Sequence, residues 1–135
     1  ASKGAKEAGG HVIGVTFRLN KPGETEHGAN PFVMEEITYS ELSPRLLHLV
    51  KKSDAVVVMP GGVGTLSEAV LTWSLIQVGE ISPRPFILYG PEWGKLFSDF
   101  EQMYNPKNFM RGRDMRLWKT AHTPEDVITM LRTWH

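Results

Sequence analysis

The sequence predicts an α/β domain: a parallel sheet flanked by helices on both faces, in one domain spanning residues 1–135. Three observations predict it. Short apolar, β-branched runs alternate with segments of helical periodicity. The runs 55–59 (AVVVM) and 85–89 (PFILY) are apolar almost throughout, as strands covered on both faces are. A glycine segment, 60–65 (PGGVGT), joins the first of these directly to a helical pattern.

In chain order, residues 1–8 carry Lys, Ala and Glu and are stopped by Gly9 and Gly10, the signature of a helix C-terminus. Residues 11–16 (HVIGVT) read as a strand, followed by a long polar loop over 20–31 whose Gly, Pro and charge cannot continue it. A loop of that length is a lid, a binding loop or simply mobile. Pro44 sits at a first-turn position of a helix over 43–52, with Leu46, Leu47, Leu49 and Val50 on its apolar face. Residues 55–59 then read as a central strand, ended by Pro60. From Leu66, apolar residues at 66, 69, 70, 73 and 76 mark one helix face, with Gly79 as terminator. Strand 85–89, helix 93–104, strand 117–121 and a closing helix 124–134 capped by Thr123 complete the alternation in a single sheet.

Fifteen basic residues balance fifteen acidic ones, so no overall field draws the chain to nucleic acid or an anionic membrane, and neither is expected as a partner. The absence of cysteine excludes disulfides, thiolate metal sites and a cysteine nucleophile. No apolar run approaches the roughly 18 residues that span a bilayer, and the start ASKGAKEAGG lacks a signal-peptide core, so a soluble, cytoplasmic protein is expected.

Ligands of open parallel sheets lie beyond the carboxyl ends of the strands, where helix N-termini point their unbonded amides. The turn from Gly61 to Thr65 occupies that location. Three glycines in four positions allow close backbone approach, and the helix dipole favours an anion, so Gly61, Gly62, Gly64 and Thr65 are candidate phosphate-binding residues. The plainer reading, a tight turn with glycines for packing alone, needs neither the third glycine nor the threonine. No Gly-Lys-Ser/Thr follows, which argues against a Walker A loop, and Glu68 stands where the third glycine of the dinucleotide fingerprint belongs. Glu68 lies three residues after Thr65, the spacing of a capping box, and could simply bond amides at the helix start. As a functional group, a carboxylate beside a phosphate cradle must be separated from the phosphate by something such as a ribose, which suits chemistry at a glycosidic bond.

The residues PGGVGTLSE (60–68) resemble the PGGxGTxxE signature of the LOG (lonely guy) family, also labelled lysine-decarboxylase-like. KGAKEAGGHVIGV (3–15), SDAVVVMPGG, WSLIQVGE and HTPEDV extend the resemblance over nearly the whole chain. The resemblance implies a Rossmann-like homodimer that hydrolyses the N-glycosidic bond of an AMP-like nucleoside 5′-monophosphate, such as a cytokinin riboside phosphate, with no metal or redox cofactor. It implies Gly61, Gly62, Gly64 and Thr65 on the phosphate, Glu68 as catalytic carboxylate, and Arg45, eight residues before the Ser-Asp pair, as the active-site arginine. The chain departs from the cytokinin-activating pattern at Arg45-Leu46-Leu47 and Val63. It also starts downstream of the family's first two strands, so that a truncated domain without turnover is the alternative expectation. In that case an edge is left unpaired, or 11–16 pairs directly with 55–59.

Other features carry less. The five histidines, His11, His27, His48, His122 and His135, show no metal-site spacing, and no metal is expected. Lys107, Arg111, Arg113, Arg116 and Lys119 with Trp118 read first as a solvated surface. Trp73, Trp93, Trp118 and Trp134 read as core or interface residues, Trp73 as the interface candidate. No lysine sits in an apolar setting suited to a pyridoxal-phosphate Schiff base, which argues against a decarboxylase.

Overall fold

The computed structural model describes residues 1–18, 30–104, 109 and 117–134. Residues 20–29 of the expected loop, the basic residues 107, 111, 113 and 116, His27 and His135 lie outside that set. The chain divides into two compact units, residues 1–51 and 52–135. Parallel sheets flanked by helices make up both, as the α/β reading requires, but the described strands form two sheets instead of one. No described helix is long and apolar enough to cross a membrane.

The first unit holds α1 (Ser2–Glu7), β1 (Ile13–Phe17), β2 (Glu35–Tyr39) and α2 (Leu42–Lys51). The amides of Gly9 and Gly10 close α1 on the carbonyls of Lys6 and Ala5, and Gly9 sits at φ 80°, the left-handed geometry in which glycine stops a helix. Strands β1 and β2 are parallel, with Val15 opposite Ile37 and Thr16 opposite Thr38. β2 has no counterpart in the sequence reading. Its strand formers Ile37, Thr38 and Tyr39 are too few to stand out behind Glu35 and Glu36. Helix α2 packs on both strands. The Tyr39 hydroxyl lies 2.7 Å from His48 Nδ1, and Arg45 Nε donates to the Val15 carbonyl at 3.1 Å. On the opposite face Thr16 donates to Glu36 at 2.6 Å, and Arg18 reaches the same carboxylate at 3.3 Å.

The second unit runs β3 (Val56–Val58), α3 (Val63–Gln77), β4 (Phe86–Tyr89), α4 (Pro91–Tyr104), β5 (Lys119–Ala121) and α5 (Pro124–Thr133). Its sheet is parallel in the order β3-β4-β5. Two right-handed crossovers in one direction put α3 and α4 on the same face. Phe86, Ile87 and Leu88 of β4 are each wholly inaccessible to solvent. Successive strand residues point to opposite faces, so both faces of β4 are covered, and α5 packs against β4 and β5. Each such side chain contributes about 1.5–3 kcal/mol through burial. Above Phe86 an aromatic cluster joins the two helices: Trp73 stacks on Phe97 at 5.0 Å, and Phe97 meets Phe86 and Trp118 edge-on. Trp73 is thus a core residue whose edge alone reaches a surface groove.

Strand β3 corrects one expectation. Residues 55–59 read as a central strand, yet β3 has β4 as its one neighbour among the described strands, and Val56 and Val57 are half-buried. An apolar run reports cover over the faces of a strand and carries no information about its edges. Among the described residues β1 and β2 make one sheet and β3, β4 and β5 another.

The helix ends behave as the sequence requires. Gly79, at φ 76°, and Glu80 close α3 by bonding back to Ile76 and Leu75. Thr123 caps α5 in a capping box with Asp126, whose carboxyl is held below its ordinary pKa by the amides of His122 and Thr123. Lys119 lies 4.6 Å from the Trp134 ring centre, and Trp118 Nε1 donates to Glu101 at 3.1 Å. Lys119, the described basic residue of the cluster, is exposed, and Trp118 is half-buried. Burial raises the Glu101 pKa, against the opposing effect of the Trp118 bond.

Helix α4 lies so close to β5 that a Cβ on Gly94 would stand 2.6 Å from Thr120 Oγ1. Gly94→Ala is therefore expected to destabilise the fold by about 1–3 kcal/mol in urea titration. Adding Thr120→Ala, which removes the obstructing atoms, should recover most of that loss.

Candidate functional site

The segment after β3 is shorter as a turn and longer as a helix than the sequence suggests. Helix α3 begins at Val63 with Gly62 as its N-cap, so the turn proper is Pro60, Gly61 and Gly62, while Gly64 and Thr65 lie in the first helical turn. A glycine so near a helix start costs little, because no intrahelical bond is yet due to its amide. The first amide to return a bond is that of Leu66, to the Gly62 carbonyl at 3.0 Å. The glycine at the cap has no side chain to accept from the first amides, and the first turn carries no acidic residue. The amides of Gly62, Val63, Gly64 and Thr65 thus form an N-terminus with no side-chain cap, and the helix dipole adds positive potential there.

This geometry removes the capping-box reading of Glu68. Thr65 is the third residue of α3 and Glu68 the sixth, too far along to bond back to the helix start in that motif. Their spacing of three instead puts both side chains on one helix face.

Thr65 and Glu68 open into a single cleft of about 260 Å³, walled by Val56, Val57, Val58, Met59 and Pro60. The apolar walls run along β3 to Pro60, and the two polar side chains come from one helix. Gly61 is required by close packing, since a Cβ there would come within 2.9 Å of the Thr65 Cβ. Around Gly62 and Gly64 a Cβ would meet nothing within 4 Å, which leaves open space over the helix start. A larger groove of about 450 Å³ between α3 and α4, lined by Val70, Trp73 and Phe100, holds no charged side chain among the described residues. Size alone would select that groove; the chemistry selects the smaller cleft.

The structure therefore brings together Gly61, Thr65 and Glu68, with Gly62 and Gly64 at the adjoining helix start. Arg45 belongs to the first unit, where it is half-buried and ties α2 to β1 through the Val15 carbonyl. The cleft walls were missed by the sequence reading, because the apolar run 55–59 signals only burial. Also missed was Trp93, whose Nε1 donates to the Met59 carbonyl at 3.1 Å. The two residues are 34 apart in sequence, and no spacing rule links them. Among the described residues no group of three or more His, Asp or Glu stands close enough to hold a metal ion.

A sequence model of the family described as possible lysine decarboxylase matches residues 1–131. A probable cytokinin riboside 5′-monophosphate phosphoribohydrolase of Oryza sativa subsp. japonica is 27% identical over 135 residues, covering 98% of this chain and 53% of its own length. One from Arabidopsis thaliana is 34% identical over 83 residues, 57% of this chain and 33% of the relative. The chain thus spans about half the length, or less, of these curated relatives. Among solved structures, the molybdenum cofactor carrier protein of Chlamydomonas reinhardtii superposes with a TM-score of 0.64 at 25% identity, over 97% of this chain and 66% of that one. The molybdenum cofactor binding protein of Rippkaea orientalis gives 0.66 at 26% identity, over 98% and 67%. The PGGVGTLSE segment, the parallel α/β architecture and a family match over residues 1–131 agree, and the chain belongs to the LOG, or lysine-decarboxylase-like, family.

Proposed function

We propose that this protein hydrolyses the N-glycosidic bond of a purine or cytokinin nucleoside 5′-monophosphate, releasing the free base and ribose 5-phosphate. One observation carries the reading: Thr65 and Glu68 share a cleft walled by β3, Met59 and Pro60, beside a helix N-terminus without a side-chain cap. The amides from Gly62 to Thr65 bind the 5′-phosphate. Glu68 acts at the ribose, where bond breaking at C1′ leaves positive charge on the sugar that a carboxylate stabilises. Water adds to C1′ as the bond to nitrogen breaks, Glu68 takes the water proton, and the base leaves with the bonding electrons and a proton from solvent. Arg45, assigned by its match to the family arginine, orients the substrate. The curated relatives, named for this reaction on cytokinin ribosides, support the substrate class.

A second reading, a nucleotide-binding module without turnover, is favoured by the two structural neighbours, named for carrying or binding a cofactor. Incubation with AMP and with an N6-substituted AMP separates the two. Release of base and ribose 5-phosphate that falls at least about a hundredfold in Glu68→Ala supports the hydrolase; binding without release from either nucleotide leaves the module.

Two glycine variants test the phosphate assignment. Gly62→Ala meets open space, so it should leave thermal stability unchanged while weakening AMP about tenfold or more through lost backbone approach. Gly61→Ala forces Thr65 aside and should lower both stability and affinity.

Self-association into at least a dimer belongs to the same proposal. Val70, Phe100 and Met103 along α3 and α4 are each about half exposed beside the uncharged groove, and an apolar strip of this kind marks an interface. Phe100→Asp is expected to reduce the sedimenting species to a monomer. An unchanged mass at micromolar protein would remove this face from the assembly.

A further inference from the structure

The Met59–Pro60 peptide is the last link between the sheet and the glycine turn. Proline has no N–H, so this peptide cannot be held from its donor side, and the Met59 carbonyl is its sole hydrogen-bonding handle. That carbonyl accepts from the Trp93 indole at 3.1 Å. Met59 and Pro60 both wall the cleft that Thr65 and Glu68 enter.

The chain on both sides of Trp93 is itself held. It is the third residue of α4 and 8% exposed. Immediately before the helix, Gly90 turns the chain at φ 105° and donates its amide to the Ala121 carbonyl of β5 at 2.9 Å. Immediately after Trp93, Gly94 sits so close to Thr120 of β5 that no Cβ fits between them. The start of α4 is therefore fastened to β5, and the indole projects from it to the end of β3, with β4 between the two strands. A frame fixed on one side of the sheet sets the orientation of a peptide on the other.

We propose that Trp93 is a positioning residue for the phosphate cradle: its indole N–H, through the Met59 carbonyl, aims the Pro60-Gly61-Gly62 turn so that the α3 amides converge on a phosphate monoester. The ligand half of this statement rests on the phosphate reading of the cleft; the positional half does not. Trp93 touches neither phosphate nor sugar, so its removal acts on binding through backbone order and leaves Glu68 in place on α3. In a hydrolase, KM for the nucleotide rises while kcat is little changed.

The test compares wild type with Trp93→Phe, which keeps an aromatic ring and removes the donor. Amide NMR relaxation at Gly61 and Gly62 is measured without ligand, and affinities for inorganic phosphate and AMP are measured by calorimetry. The expected result is increased motion at those two glycines, with the middle of α3 unchanged, and a loss of about fivefold for both ligands, the value of one ordinary hydrogen bond. Unchanged glycine relaxation in the variant overturns the proposal whatever the ligands do. Increased motion in a protein whose wild type binds neither phosphate nor AMP upholds the clamp and instead removes the phosphate reading of the cleft. Should Trp93→Phe fail to fold, the wild-type indole N–H signal serves: protection from solvent exchange supports the bond to Met59, and rapid exchange overturns it.

Discussion

The burial of β4 is the constraint on which the second unit depends. Three consecutive residues, Phe86, Ile87 and Leu88, are removed from water entirely, which is possible only if both faces of the strand are covered at once. That requirement recruits α3 and α4 to one face through the Trp73, Phe97 and Phe86 cluster, and α5 to the other. It also supports α3 at the angle from which Thr65 and Glu68 reach the cleft. The helix end that adjoins the cleft is exposed, but its geometry is set in the core behind it.

A helix N-terminus that ends in glycine gives up the stabilisation that a serine or aspartate cap would add, about 1 kcal/mol. The two well-defined helix starts of this unit contrast in that respect. Helix α5 is closed by Thr123 and Asp126, which satisfy its first amides internally. Helix α3 leaves its amides without any side-chain cap and places open space above Gly62 and Gly64. The chain closes one helix start with side chains and leaves the other without them.

The first unit follows different rules. Its two-stranded sheet has α2 on one face, while Thr16, Glu36 and Arg18 make a bonded polar group on the other. Arg45 has a structural reading and a proposed functional one: the bond from its Nε to the Val15 carbonyl holds α2 to β1, and the proposed role at substrate rests on its match to the family arginine alone. Arginine suits both roles, since a planar group with several donors can bond a backbone carbonyl with one nitrogen and offers others in the same plane.

What was legible in the sequence was whatever depends on near neighbours along the chain. The α/β alternation, the helix stops at Gly9 and Gly79 and the Thr123 cap all follow from local spacing, because helix periodicity and end chemistry act over three or four residues. What the tertiary structure alone decided was everything that depends on residues brought together from a distance. The pairing of β2 with β1, the edge position of β3, the cleft walls and the bond from Trp93 to Met59 across 34 residues belong to this class. The capping-box reading of Glu68 lay on the border between the two. Its spacing was correct for the motif, and only the helix start at Val63, fixed by where the chain leaves β3, showed that Thr65 was already inside the helix. Hydrophobic patterning specifies that a side chain leaves water, and the packed fold specifies which neighbour it meets there.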